Sequence, residues 1–271
     1  MKLGLCQLPV TADLRRNHAA MQDMVRRAAA QGCEMVCLPE MWICPYENAA
    51  FVAYSEPERG ETRQVLRDTA KACGVYLVGG SMPEQEGDRI YNTCFVFSPE
   101  GEQIAKHRKV HLFDIDVTGG QHFHESDTLS PGDRFTVFST PFCRIGLCIC
   151  YDFRFPELAR LMTDAGAKVI LVPAAFNMTT GPAHWELLFR SRAVDNQVYT
   201  VGTAPARDPN ASYQSWGHSI VCSPWGDVLT QADADECVKV TELDLDRLMR
   251  IREELPLLKQ RRTDLYRVER I

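Results

Sequence analysis

Residues 146–158, GLCICYDFRFPEL, read as a buried strand that stops at a cysteine and turns into a helix. Ile145, Leu147 and Ile149 form the apolar run. Pro156, Glu157, Leu158, Leu161 and Met162 then open a helical pattern with proline in its first turn. A thiol at such a joint sits near the positive end of a helix and at the mouth of a sheet, where a thiolate is favoured and a substrate can reach it. Cys150 is therefore a candidate nucleophile. The competing reading is a small hydrophobe in the core, the usual fate of a free cysteine. Cys148 competes with it, because residues two apart point to one side of a strand, but Cys148 lies inside the run and Cys150 ends it.

Working outward, the same alternation recurs. Strand-like runs near 3–8, 34–39, 74–80, 91–97, 143–149, 168–173, 198–204, 218–222 and 237–243 are interleaved with helical patterns near 13–31, 61–72, 155–165 and 183–195. This is an α/β order. No linker divides it, so residues 1–271 are expected to form a single domain. Residues 114–134, rich in glycine, acids and histidine, read as an ordered surface loop whose composition permits a lid.

Four short strings return in one order. Gly4-Leu5-Cys6 returns as Gly146-Leu147-Cys148, and Leu38-Pro39-Glu40 as Val172-Pro173-Ala174. Val75-Tyr76-Leu77-Val78-Gly79 returns as Val198-Tyr199-Thr200-Val201-Gly202, and Phe95–Gly101 as Ile220–Gly226. A duplicated β-α-β-α-β-β unit follows, and with it an α-β-β-α sandwich of two pseudo-repeated halves. Ligands in α/β sheets gather at the carboxyl ends of strands, so an approximate twofold would bring Glu40, from the first half, to Cys150, from the second.

Composition narrows the function. The 271 residues are 45% hydrophobic with a net charge of −6, which suits a globular protein acting on a small molecule rather than nucleic acid. No stretch offers the roughly 18 uncharged apolar residues of a membrane helix. The start, MKLGLCQLPVTADL, breaks too early for a signal peptide, and 11 scattered cysteines lack the density of a disulfide scaffold. Both point to the cytoplasm.

Three more positions carry chemistry. Glu40, in CLPEMW, ends an apolar run beside Pro39 and Trp42, where desolvation would raise its pKa toward proton transfer; an exposed turn is the alternative. Lys109, in KHRKVHLFDID (106–116), shares a strand face with His111, though Lys106, Arg108 and Lys109 also read as a solvated edge. Glu125, in HESDTLSPGD (124–133), stands among His122, His124 and Asp127. Those types can bind metal, but no second cluster completes a site, and a polar active-site loop is the better reading. No G-x-S-x-G, P-loop or G-x-G-x-x-G is present, and His184 and His218 lack a context that marks a base.

Taken in order, Glu40, Lys109 and Cys150 with these flanks resemble the nitrilase superfamily of carbon–nitrogen hydrolases, and the match runs over nearly the whole chain. The resemblance implies a Glu-Lys-Cys triad, Glu125 as the supporting glutamate, the α-β-β-α sandwich and no cofactor or metal. FNMTTGPAHWELLFRSRAVDNQVY (176–199), PARDPNASYQSWGHSIV (205–221) and RRTDLY (261–266) are similar to the omega-amidase branch. That branch implies hydrolysis, through a cysteine thioester, of the terminal amide of small dicarboxylic monoamides such as 2-oxoglutaramate and 2-oxosuccinamate. Glu40 would move the proton, and Lys109 with the Tyr151 N–H would hold the oxyanion. The substrate's far carboxylate asks for a cation, for which Arg154 is the first choice, with Thr180 as hydroxyl partner; the alternative for Arg154 is a salt bridge to Glu157 or Asp152. The family commonly forms homodimers or higher homo-oligomers. Two other functions stand beside this one: another amidase of the superfamily, acting on deaminated glutathione or N-carbamoyl compounds, and a non-catalytic binding or scaffold protein that keeps the fold.

Overall fold

The structure is a computed structural model that describes all 271 residues, Met1–Ile271. The first half runs β1 (Lys2–Gln7), α1 (Leu14–Ala30), β2 (Met35–Cys37), α2 (Asn48–Ala53), β3 (Glu56–Pro57), α3 (Glu61–Cys73), β4 (Tyr76–Val78), β5 (Met82–Glu86), β6 (Arg89–Phe97) and β7 (Gln103–Arg108). A small hairpin, β8 (Asp114–Asp116) and β9 (His122–His124), leads out of it. The second half runs β10 (Thr136–Ser139), β11 (Arg144–Leu147), α4 (Pro156–Asp164), β12 (Val169–Pro173), α5 (Gly181–Asn196), β13 (Tyr199–Thr203), β14 (Ile220–Cys222) and β15 (Val228–Gln231). β16 (Cys237–Glu242) and α6 (Leu245–Glu254) close the chain.

The two sheets repeat one plan. The first has the order β16-β1-β2-β4-β6-β5-β3, with β7 also paired to β6, and the second β10-β11-β12-β13-β14-β15. In each, three parallel strands (β1-β2-β4 and β11-β12-β13) are flanked by antiparallel neighbours. Strand alternation builds the layers. Leu3, Leu5, Met35, Cys37, Val78, Cys94 and Val96 face inward and share one core with Ile145, Leu147, Val169 and Val201 of the second sheet. Cys6, Val36, Leu77, Phe95 and Phe97 point outward into a second core with Met21, Val25 and Leu66 of α1 and α3. α4 and α5 cover the second sheet, which completes the expected α-β-β-α sandwich.

The echoed glycines have a packing cause. A Cβ on Gly4 would stand 3.0 Å from Ala28 of α1, and one on Gly146 2.9 Å from Met162 of α4. Gly79 and Gly202 repeat this against Leu66 of α3 (2.9 Å) and Phe189 of α5 (2.4 Å). At each pair a helix lies close against the sheet, most tightly at Gly202, where an added Cβ would run into the Phe189 ring. Gly202→Val should lower stability by about 1–3 kcal/mol, because the Phe189 ring is packed and cannot yield. Urea denaturation measures it, and an unchanged midpoint with normal activity would refute this packing argument.

Every expected strand and helix is present within a few residues. The unexpected elements are β3, β5, β10 and β15 at or near sheet edges, the β8–β9 hairpin inside the segment read as a loop, and the helices α2 and α6, while β7, expected to run on to His111, ends at Arg108. No helix is long and apolar enough to cross a membrane.

Candidate active site

Glu40 and Cys150 both stand three residues beyond a parallel strand, on β2 and β11. Glu40 is locked from below: Met41 takes a left-handed φ of 49° and its N–H donates to Ser81 Oγ at 3.0 Å, while Trp42 Nε1 donates to Gly79 O at 2.8 Å. Cys150 opens a 3₁₀ turn, Cys150–Arg154, with a φ of 45°. A non-glycine residue in this region is strained, and such strain clusters at functional sites. It also corrects the alternation argument, since the left-handed turn removes Cys150 from the strand's period and leaves Cys148 fully buried in the core.

Lys109 follows the end of β7, where its N–H donates to Asn92 O at 2.8 Å. His111 does not share a strand face with it, because β7 ends at Arg108; the His111 ring stacks on Phe155 at 3.8 Å instead. Glu125 occupies a 3₁₀ turn after β9, and its Oε2 accepts the Phe113 N–H at 2.7 Å. His122 and His124 turn the other way and pair with Asp116 at 3.0 and 2.9 Å, so the polar cluster of the sequence divides into an inner glutamate and an outer histidine pair.

These chains meet in the interior. Lys109 Nζ donates to Glu40 Oε1 and to Glu125 Oε1, both at 2.9 Å. All three side chains are 0% exposed, and Cys150 is 5% exposed. Three further residues, not foreseen from the sequence, complete the network. Tyr46 Oη donates to Glu125 Oε1 at 2.6 Å and lies 3.3 Å from Glu40 Oε1, Asn92 Nδ2 donates to Glu40 Oε1 at 2.9 Å, and the Ala175 N–H donates to Glu40 Oε2 at 2.9 Å. Oε1 of Glu40 thus accepts from Lys109 and Asn92, whereas Oε2 accepts only the Ala175 N–H. The asymmetry leaves Oε2 the freer of the two oxygens to accept a proton.

Burial governs the charges. It pushes the Glu40 carboxyl up, Lys109 pulls against that rise, and Glu125 adds to it. Burial also pushes the Cys150 thiol well up, with the Glu40 carboxylate beside it acting the same way. The resting thiol is therefore protonated, contrary to the thiolate expected at a helix start. Burial alone would lower Lys109, but the Glu125 and Glu40 carboxylates outweigh it and hold the ammonium charged.

Asp152 ties the two halves of the site together. Its Oδ1 accepts from the Val110 N–H (3.1 Å), the His111 N–H (2.8 Å) and His111 Nδ1 (2.9 Å). Its Oδ2 accepts from the Ile149 N–H and pairs with His107 Nε2, both at 3.0 Å. Burial would raise its carboxyl, yet the histidine hydrogen bonds outweigh it and keep Asp152 ionised. One carboxylate thereby couples the turn bearing Cys150 to the chain bearing Lys109.

Of the residues expected to bind substrate, Tyr151 follows Cys150 and its N–H has no partner at the start of the 3₁₀ turn. Arg154 is half-buried and pairs with neither Glu157 nor Asp152: its Cζ lies 4.5 Å from the Phe176 ring centroid and its Nη1 3.0 Å from His184 Nδ1. Thr180 is the N-cap of α5, and its hydroxyl donates to Asn177 Oδ1 at 3.1 Å. Tyr213, stacked on Tyr46 at 4.4 Å, separates a cavity of about 430 Å³ that touches Glu40 and Ala175 from a cleft of about 810 Å³ under Gly119–Phe123 and Thr179.

Residues 2–253 match the model of the carbon-nitrogen hydrolase family. The chain belongs to this family. Among relatives of this carbon-nitrogen hydrolase, the omega-amidase NIT2 of Danio rerio is 51% identical over 270 residues, covering 100% of this chain and 98% of that protein. The omega-amidase NIT2 of Homo sapiens is 51% identical over 268 residues, covering 99% and 97%. The crystal structure of Saccharomyces cerevisiae Nit3, a member of branch 10 of the nitrilase superfamily, superposes with a TM-score of 0.89 at 40% identity, covering 97% of this chain and 96% of that one. A mutant of the amidase from Nesterenkonia sp. AN1, at 26% identity and a TM-score of 0.78 over 94% and 98%, shows the result of Michael addition of acrylamide at its active-site cysteine. This carbon-nitrogen hydrolase is thus an enzyme that acts on amides.

Proposed function

We propose that the chain is an omega-amidase that hydrolyses the terminal amide of small dicarboxylic monoamides such as 2-oxoglutaramate and 2-oxosuccinamate. The observation that carries the substrate reading is Arg154, a half-buried cation beside the Cys150 turn with no carboxylate of the protein to neutralise it. A buried charge is costly unless paired, so a ligand carboxylate is the fitting partner. The identity with omega-amidases over nearly the full length of both chains points the same way.

In this reading Glu40 Oε2 takes the Cys150 proton as Sγ attacks the amide carbon. The oxyanion is held by a Lys109 N–H and the Tyr151 N–H. Glu40 then passes its proton to the departing nitrogen, ammonia leaves, and a thioester remains. Water, giving its proton to Glu40, attacks that thioester; the proton returns to sulfur and the dicarboxylate is released. Glu125 fixes Lys109, and Thr180 stands at the positive end of α5, where a carboxylate is favoured. The chemistry is complete without a cofactor.

Three wider readings accompany it. Residues 1–271 act as a single domain, supported by β16, which crosses from the second half to complete the first sheet. Exposed Leu187 and Val194 of α5, together with exposed Trp225, whose neighbour Gly226 lies against Val194, support a homodimer or higher homo-oligomer. Eleven free cysteines support a cytoplasmic location, and the net charge of −6 a small-molecule partner rather than nucleic acid.

The test is ammonia and oxoacid release from 2-oxoglutaramate, 2-oxosuccinamate, deaminated glutathione and an N-carbamoyl amino acid. The highest kcat/KM is expected for the first two. A preference for deaminated glutathione or the carbamoyl compound would move the enzyme to another branch, and no turnover of any would overturn the omega-amidase reading.

A further inference from the structure

His184 takes no part in the chemistry above, yet it makes the one side-chain hydrogen bond that Arg154 has. A guanidinium only donates, so His184 Nδ1, 3.0 Å from Arg154 Nη1, is the acceptor, and the ring is neutral with its proton on Nε2. The ring stands on the first turn of α5, and that turn is fixed. Asn177 Oδ1 accepts the N–H groups of Thr179 (3.0 Å) and Thr180 (2.9 Å), and the His184 N–H donates to Thr180 O at 2.9 Å. On the other side the guanidinium rests over Phe176, with Tyr151 at 5.6 Å. The main chain at Arg154 is held too, by Arg192 Nη2 at 2.9 Å from its carbonyl.

What this leaves free is informative. Arg154 Nε is buried with no hydrogen-bond partner, and Nη2 donates to no side chain or carbonyl. Nε and Nη2 form one edge of the guanidinium, the edge that grips a carboxylate with two parallel bonds. Nη1, on the far corner, is the one atom tied down. A long flexible side chain held at that corner keeps its unpaired edge in one orientation and loses less rotamer freedom when the ligand arrives.

We propose that His184 is a positioning residue for substrate selection: its Nδ1 holds Arg154 Nη1 so that the Nε–Nη2 edge faces the far carboxylate of the substrate. This rests on Arg154 being the carboxylate site. His184 touches neither the amide nor the sulfur, so its influence falls on binding of carboxylated substrates and spares the chemical step.

The experiment compares glutaramate with pentanamide, which differ only in a carboxylate against a methyl group. His184→Leu removes the acceptor and is expected to lower the preference for glutaramate about tenfold, through KM rather than kcat, as loss of one hydrogen bond to a charged group does. His184→Asn, whose Oδ1 falls near the position of Nδ1, is expected to restore the preference to within about threefold. If His184→Leu leaves the preference unchanged, lowers kcat equally for both amides, or is matched by His184→Asn, the proposal is overturned. Arg154→Met separates the two readings. A preference lost in Arg154→Met but kept in His184→Leu ends the role of His184 alone, and a preference kept in both removes Arg154 as the carboxylate site as well.

Discussion

Cys150→Ala should abolish ammonia release from 2-oxoglutaramate, a loss of about 10⁴-fold or more, while Cys148→Ala keeps most of the activity. The two thiols are two residues apart and both buried, yet only one stands on the left-handed turn beside Glu40. Cys148 packs in the core with Leu147 and Ile149, so shortening it removes one sulfur from an apolar wall and should cost about 1 kcal/mol of stability. Thermal melts run beside the assay separate a lost nucleophile from a lost fold. Activity that survives without Cys150 and vanishes without Cys148 would reverse the assignment.

Lys109→Met should remove turnover and also weaken the fold, by about 3–5 kcal/mol near neutral pH, because two buried carboxylates lose the cation between them. The pH dependence identifies the cause. Glu40 is already raised by burial, and without Lys109 it rises further, so the folded state binds its proton more tightly than the unfolded state does. The deficit of the variant should therefore be smallest below the ordinary glutamate pKa of about 4.3 and should grow as pH climbs through the raised value of Glu40. Urea denaturation at several pH values measures this. A deficit that does not vary with pH would mean that Lys109 contributes packing rather than charge compensation.

Two of the residues behind these results could be read from the chain's own pattern, because Glu40 follows Val36-Cys37-Leu38-Pro39 and Cys150 follows Ile145–Ile149, each just past the end of a buried run. Lys109 follows the half-exposed β7 and was legible only through the family resemblance. The sandwich was legible for a similar reason: strands buried on both faces show continuous apolar runs, and glycines recur where helices press on them. The edge strands β5, β10 and β15 were not, since half-exposed residues such as Val228, Leu229 and Thr230 carry no strong pattern. α6 left a fainter signal, the Asp244 cap with Leu245, Leu248 and Ile251 at helical spacing.

The supporting shell escaped for a different reason. Tyr46, Asn92 and Asp152 act through partners 79, 52 and 45 residues away, on Glu125, Glu40 and His107 respectively. Local pattern contains no such information. A hint existed in Asn92, a lone amide in the apolar run of β6, where a buried polar group must have a partner. Asp152 reads from sequence only as a partner for Arg154, although the two histidines that hold it lie in the same stretch as Lys109.

The pairing of Lys2 with Glu242 and of Gln7 with Cys237 has a consequence for how the molecule comes into being. A ribosome adding about 5–20 residues per second needs roughly 10–50 s to go from Gln7 to Glu242, 235 residues further on. Throughout that interval the nascent first sheet presents the bare backbone of its opening strand, an invitation to stray pairing with other chains. Maturation of the amino-terminal half therefore waits for the last strand to emerge, and a chaperone that shields that margin during translation would do more for yield than one acting on the finished polypeptide.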